Sequence, residues 1–180
     1  MKPWGRIFMG ILSGNPQEEP MHYGEVFGAW TYLTSLKGII SGYQTMMNHT
    51  GDADLFKFIE NMVDEAKREE MEMEQLLKEN GVGLPPSPPE RAYSDHENIP
   101  VGARFNDPEI SAMITKDIAT GLVACSQVMG QSTREDIAMM FGRYHSNKAQ
   151  AGAKLLQLNK DKGWLVSPPL HIETPQSVTV

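Results

Sequence analysis

The sequence contains five histidines, which are candidate metal ligands. Their spacing from acidic residues limits the metal sites that they could form. In the core of a helical bundle, two metal ions take a Glu-x-x-His motif from each of two helices and a Glu from each of the other two. Only His22 has a glutamate three positions earlier, in Glu19-Pro-Met-His22. Pro20 fits only the first turn of a helix, so this motif lies about 20 Å from the middle of a long helix. The sequence therefore does not predict a standard di-metal centre.

An irregular metal site is the alternative that the polar residues leave open. His22, Glu69, Asp117 and His145 lie on or beside the positions that apolar periodicity assigns to the interior, one on each of four helical segments. Imidazole and carboxylate ligands would suit an Fe, Mn or Zn ion. The competing interpretation is that these groups hydrogen-bond one another or reach water near helix ends. The sequence predicts no cofactor, with this metal site as the alternative hypothesis.

Motifs for other kinds of catalysis are absent from the sequence. It contains no P-loop, no Gly-x-Gly-x-x-Gly, no His-Glu-x-x-His and no Gly-x-Ser-x-Gly. The single cysteine, Cys125, has apolar neighbours that predict a buried, inert thiol. We therefore predict no catalytic residues.

Four long segments have the periodicity of helices with one apolar side, and turn residues separate them. Asp107 and Pro108 predict the N-cap and first turn of the third helix. Ser132 and Glu135 form a capping-box pattern at the start of the fourth. The predicted helices span residues 21–48, 52–80, 108–130 and 132–162.

The connection of residues 82–106 is unusually long and contains the proline-rich run 84–89, which favours an extended chain. A helix of about 28 residues is about 42 Å long, and an extended connection of this length could cross all of it. The third helix would then run parallel to the second, as in ferritin-like bundles. We predict an all-α, antiparallel four-helix bundle of the ferritin-like type in one domain, 1–180. Residues 1–15 would be an N-terminal extension and 164–180 an extended tail.

Composition excludes several kinds of partner. The net charge of −7 argues against binding to nucleic acid or to an anionic membrane surface. No stretch approaches the roughly 20 apolar residues of a membrane span, and Gly10 interrupts the apolar run after Arg6 that a signal peptide would need. The first helix has more aromatic residues than one buried stripe requires, so we predict a homo-oligomer.

Three phrases resemble an uncharacterised family of spore-forming bacteria, similar to spore-coat-F-like proteins and assigned to the ferritin-like superfamily. They are Ile11–Pro16, Pro20–Phe27 and Ile99–Glu109. The resemblance implies a ferritin-like bundle and a role in spore formation or the spore coat. Since a single cysteine suits a reducing compartment, we expect a location in the cytoplasm or the coat. The resemblance also implies other coat proteins as partners and supplies no catalytic residues. Within the third phrase, we predict that Arg104 pairs with Glu69 or Asp117.

Three functional hypotheses follow. The leading one is a non-enzymatic structural or interaction protein that is associated with the spore coat or with sporulation. The second is a metal-binding bundle with a non-standard ligand set. The third is a bundle that binds a small molecule, since an apolar cavity leaves no motif in a sequence.

Overall fold

The computed structural model describes residues 19–171, and their regular structure is helical. The long helices are α1 (Tyr23–His49), α2 (Ala53–Glu79), α3 (Asp107–Gln131) and α4 (Glu135–Lys162). Two short 3-10 turns, His96–Asn98 and Val101–Ala103, lie in the connection between α2 and α3. The predicted all-α class is confirmed. The predicted extension 1–15 lies outside the described residues, as does the predicted tail beyond residue 171.

Each helix runs antiparallel to the two helices beside it. The hairpin of α1 and α2 packs on the hairpin of α3 and α4, with α1 against α3 and α2 against α4. At one end of the bundle, Lys162 of α4 lies 2.7 Å from Asp52 and 2.6 Å from Asp54, at the start of α2. The four helices therefore form the predicted bundle, with α1 parallel to α4 and α2 parallel to α3 across its diagonals.

The connection between α2 and α3 crosses the length of the bundle along α1. Near its beginning, the indole N–H of Trp30 donates to the carbonyl of Gly83 at 3.0 Å. Near the far end of α1, the side-chain amide of Asn48 donates to the carbonyl of Ala92 at 3.0 Å. Because prolines cannot donate backbone hydrogen bonds, the side chains of α1 fix this segment instead. The predicted crossover is confirmed.

The start of α3 differs by one residue from the prediction. Asn106, rather than Asp107, is the N-cap, and it forms a capping box with Glu109. Asp107 is then free to accept hydrogen bonds from the hydroxyl of Thr50 and the backbone N–H of Gly51, the second at 3.1 Å. It thereby joins the start of α3 to the end of α1.

The start of α4 contradicts the predicted capping box. Ser132 is the C-cap of α3, so Ser132 and Glu135 do not cap α4 together. The N-cap of α4 is Arg134, whose side chain makes no capping hydrogen bond. A glutamate from α1 supplies the missing acceptor, as described below.

Ion pairs lie along the outer face of α2. Glu74 and Lys78 form one at 2.9 Å, and Arg68 pairs with Glu65, one turn away. None of the described helices combines the length and the apolar character that a membrane span needs.

Candidate functional site

The centre of the bundle contains a polar cluster with one side chain from each helix. We call Tyr32, Glu69, Cys125 and Lys148 the central cluster. Glu69 is only 1% exposed. The ammonium of Lys148 lies 2.9 and 2.7 Å from its two carboxylate oxygens, and the hydroxyl of Tyr32 donates to one of them at 2.6 Å. The buried negative charge is therefore compensated within the protein.

A glycine in α3 gives Lys148 its path to Glu69. A Cβ atom at Gly121 would lie 3.0 Å from both Cδ and Cε of Lys148, closer than an unstrained contact. The Lys148 ammonium also lies 5.5 Å from the centre of the Tyr32 ring, a cation–π distance. Gly121 thus accommodates the aliphatic part of a side chain whose charged end reaches Glu69 on α2.

The other two members of the central cluster are held in their protonated forms. Burial, with the adjacent Glu69 carboxylate, raises the pKa of the Tyr32 hydroxyl well above its ordinary value. Burial also raises the pKa of the Cys125 thiol, whose sulfur lies 3.8 Å from the Tyr32 oxygen. At neutral pH the cluster therefore holds a phenol and a thiol, and neither is a nucleophile. The predicted burial of Cys125 is confirmed.

His22, the first of the four predicted metal ligands, lies at the end of the bundle. It is the N-cap of α1, and its Nδ1 accepts a hydrogen bond from the N–H of Gly24 at 3.0 Å. Its Nε2 lies 3.1 Å from the carbonyl of Gln131, at the end of α3. Glu69 lies ten residues before the end of α2, about 15 Å along the axis. His22 therefore serves two helix ends and is remote from Glu69.

The structure does not assemble the predicted metal ligands into one site. Asp117 lies half-buried on α3 and His145 half-buried on α4. Neither makes a hydrogen bond or ion pair with another described residue. Within residues 19–171, no three His, Cys, Asp or Glu side chains converge as a metal ion would require. The metal site remains a prediction without support from the geometry.

The predicted pairing of Arg104 is wrong. Its guanidinium donates to the carbonyl of His96 at 3.0 Å, within the crossover itself. Arg104 thus stabilises the turn that leads into α3 and contacts neither Glu69 nor Asp117. The local backbone supplies its acceptor, and sequence periodicity does not describe such irregular segments.

Glu25 at the base of the bundle caps two helices with one carboxylate. It is 1% exposed and accepts from the backbone N–H groups of Thr133 at 2.8 Å and Arg134 at 2.9 Å, at the start of α4. Its other oxygen accepts from the N–H of His22 at 3.0 Å, as the acidic member of a capping box in α1. One buried side chain thereby fixes the position of α4 relative to α1.

Arg134 completes this basal contact. It is 2% exposed and forms a two-pronged ion pair with Asp136, at 3.1 and 2.6 Å. It also donates to the side-chain oxygen of Asn80 and the carbonyl of Glu19, both at 3.0 Å. The bond to Arg134 lowers the pKa of the Asp136 carboxyl. Arg134 occupies the N-cap of α4, a position where Ser, Thr, Asp or Asn is expected. That unusual residue is the only local feature of the sequence that could have pointed to this contact.

A groove of about 660 Å³ opens between α1 and α3, and Tyr32, Glu69 and Lys148 of the central cluster line it. We call it the α1–α3 groove. Small side chains on both helices leave this space because they do not fill the gap between the helix axes. They are Gly24, Gly28, Thr31 and Ser35 of α1, and Thr120, Gly121 and Ala124 of α3. No motif in the sequence indicated this groove, since an apolar cavity leaves none.

Asp117 lies on the wall of this groove, and its charge is expected to destabilise the fold. Burial raises the pKa of its carboxyl above the unfolded value of 3.8, although Lys116 acts weakly in the other direction. The folded state therefore binds a proton more tightly than the unfolded state, and stability falls as pH rises through this interval.

We expect Asp117→Asn to raise the free energy of unfolding at pH 7 by less than about 1 kcal/mol, the scale of electrostatic effects at partly exposed sites. This gain in stability should disappear below the unfolded pKa of 3.8, because wild-type Asp117 is then protonated in both the folded and the unfolded state. Urea titrations at pH 7 and pH 3 measure both values. A variant that is less stable than wild type at pH 7 would show that the carboxylate has a favourable partner.

Comparisons with known proteins agree with the fold. The family described as "Protein of unknown function (DUF3231)" matches residues 9–177. The chain is 53% identical over 165 residues to the uncharacterized protein YvdQ of Bacillus subtilis (strain 168), an alignment that covers 92% of this chain and 97% of that protein.

Two solved structures are similar to this one. A "putative spore coat protein" of Bacillus halodurans C-125 is 57% identical with a TM-score of 0.87, covering 88% of this chain and all of that chain. A two-domain protein of Anabaena variabilis ATCC 29413, with DJ-1/ThiJ/PfpI-like and ferritin-like domains, is 14% identical with a TM-score of 0.62. That likeness covers 85% of this chain and 41% of that chain, and it concerns the fold alone. The ferritin-like bundle predicted from the sequence is confirmed.

Proposed function

Because the chain belongs to the DUF3231 family, proteins of unknown function, we propose that it is a structural or interaction protein of the spore coat or of spore formation, rather than an enzyme. The observation that carries the proposal is the likeness to the Bacillus halodurans protein, which is described as a "putative spore coat protein". At 57% identity over the whole of that chain, the two share a fold and more than half of their aligned residues.

The central cluster favours a role without catalysis. In this fold, a metal centre would need carboxylates that are free to bind a cation at the middle of the bundle. Here both oxygens of Glu69 already bind Lys148, and one also accepts from Tyr32. A cation would have to displace a positively charged side chain from a buried site. The cluster therefore acts as a charge-neutral polar core.

Exposed apolar side chains on the helices supply contact surface for an assembly. A contiguous apolar patch that faces solvent is typical of a surface that is covered in an oligomer, and Tyr23 and Phe27 lie one turn apart on α1. Those on helices that are more than two-thirds exposed are Tyr23 (95%), Phe27 (71%), Val123 (68%) and Met139 (75%). We propose a homo-oligomer that also contacts other coat proteins.

Location in sporulating cells tests this function. A fluorescent fusion of the full chain in a sporulating Bacillus should collect around the forespore, and the protein should remain with purified spores until coat extraction. The fluorescent protein alone is the control. Diffuse fluorescence throughout sporulation, with no protein in the coat extract, would contradict the proposal.

Elemental analysis of the untagged protein, after incubation with Fe(II), Mn(II) or Zn(II) and desalting, tests the metal-binding alternative. The neutralised central cluster leads us to expect no retained metal. A stoichiometric amount that is lost on replacing Glu69 by Gln would reverse that assignment.

A further inference from the structure

The α1–α3 groove has the dimensions of a small-molecule site. Its volume of about 660 Å³ falls within the roughly 300–1,000 Å³ that is typical of ligand pockets. Such pockets combine apolar walls with a few convergent polar groups. The apolar side chains of this groove are Phe27, Leu36, Ile39, Met62, Ile118 and Val128.

The charged side chains of the groove leave an excess of negative charge. They are Glu65, Glu69, Asp117 and Lys148, three acids and one base. Glu69 and Lys148 neutralise each other. Glu65 accepts from Asn147 at 2.7 Å and also binds Arg68 at the surface. Asp117 alone of the four has no ion pair or hydrogen bond to a described residue.

An uncompensated carboxylate on an apolar wall favours a cation beside it. Partial burial already raises the pKa of Asp117, so its charged form is poorly solvated there. An anionic ligand would meet this carboxylate and Glu65. It would gain little from Lys148, whose charge is committed to Glu69. A neutral ligand would bury the same apolar surface but would not compensate the negative charge of Asp117.

We infer that the α1–α3 groove binds an amphipathic organic amine, with its ammonium at Asp117 and its hydrocarbon body along the apolar wall towards Val128. Asp117 and Val128 are eleven residues apart on α3, or about 16 Å along the axis. A roughly ten-carbon chain is comparable to that length. This inference does not depend on a role in the spore coat.

Decylamine, decanol and decanoate share one apolar body and differ in charge, so they are the probes. Isothermal titration calorimetry on the full chain, below the concentrations at which the probes aggregate, measures their affinities. We expect decylamine to bind about tenfold or more tightly than the other two, as one charge-assisted hydrogen bond predicts.

Two substitutions locate the site, and a third serves as the control. Asp117→Asn keeps the shape of the side chain and should abolish the preference for the amine. Ala124→Phe should fill the groove and remove binding of all three probes. If Ala124→Phe does not fold, as judged by circular dichroism, Thr31→Leu narrows the groove from α1 instead. Asp64→Asn removes an exposed carboxylate from α2 and should leave amine binding unchanged.

Several outcomes would overturn the inference. Equal affinity for the three probes, or an unchanged preference in Asp117→Asn, would show that no ammonium site exists at Asp117. Unchanged binding in the filled variant would place the probes elsewhere. If no probe binds to the wild-type protein and Ala124→Phe forms a smaller oligomer, the groove is instead covered by a second copy of the chain. Light scattering measures that assembly.

Discussion

Replacing Glu25 by Ala is expected to lower the free energy of unfolding by about 3–5 kcal/mol. The substitution removes the acceptor for three backbone N–H groups, those of His22, Thr133 and Arg134. A buried donor without an acceptor costs about 1–3 kcal/mol, and the N–H of Arg134 is the most deeply buried of the three. Urea denaturation followed by circular dichroism measures the loss, because the helices unfold together with the bundle.

The matched control for Glu25 is Glu109. Both residues are the acidic members of capping boxes, but Glu109 is exposed and accepts only from Asn106 of its own helix. Glu109→Ala should therefore cost about 1 kcal/mol or less. If the two variants lose equal free energy of unfolding, the hydrogen bonds from Glu25 to the start of α4 contribute no stability beyond that of a local cap.

Replacing Lys148 by Met is expected to cost about 3 kcal/mol. Methionine retains the long apolar stem that passes Gly121, so the change removes mainly the ammonium group. Glu69, which is 1% exposed, then keeps a negative charge without its cation. Removing one partner of a buried ion pair is costly for this reason, whereas the intact pair contributes much less to stability.

A double-mutant cycle separates the charge from the packing. Glu69→Gln removes the negative charge and leaves an oxygen that can accept from Tyr32. The double variant Glu69→Gln/Lys148→Met should therefore recover most of the stability lost in Lys148→Met. If Lys148→Met alone costs less than about 1 kcal/mol, or if the double variant is no more stable than it, Lys148 does not compensate Glu69 in the folded protein.

Local sequence patterns determined the helices and the crossover. The apolar repeat and the turn residues gave the number and order of helices, since both act within a few neighbouring residues. Gly81 and Gly163, which end α2 and α4, have φ values of 72° and 71°, a conformation that glycine adopts without strain. The length and prolines of residues 82–106 were enough to predict a connection that crosses the whole bundle.

The same patterns gave a wrong start for α4. Ser132 and Glu135 have the spacing of a capping box, and a local interpretation has no reason to prefer another acceptor. Glu25 replaces them, more than 100 residues away in the chain. Its interaction exists only once the bundle brings the starts of α1 and α4 together at one end, so no pattern within either helix predicts it.

The candidate site was likewise decided by the tertiary structure. Periodicity placed Glu69 near the interior but could not supply its partner, because Lys148 looks like a surface residue of α4 in the sequence. Its path depends on the missing side chain of Gly121, on a third helix. The α1–α3 groove depends on the same packing, since its walls come from helices that an extended crossover separates. The sequence determined which helices form and where they end. Only the packing of the four helices determined which polar groups meet, because each of those contacts joins residues that are distant in the chain.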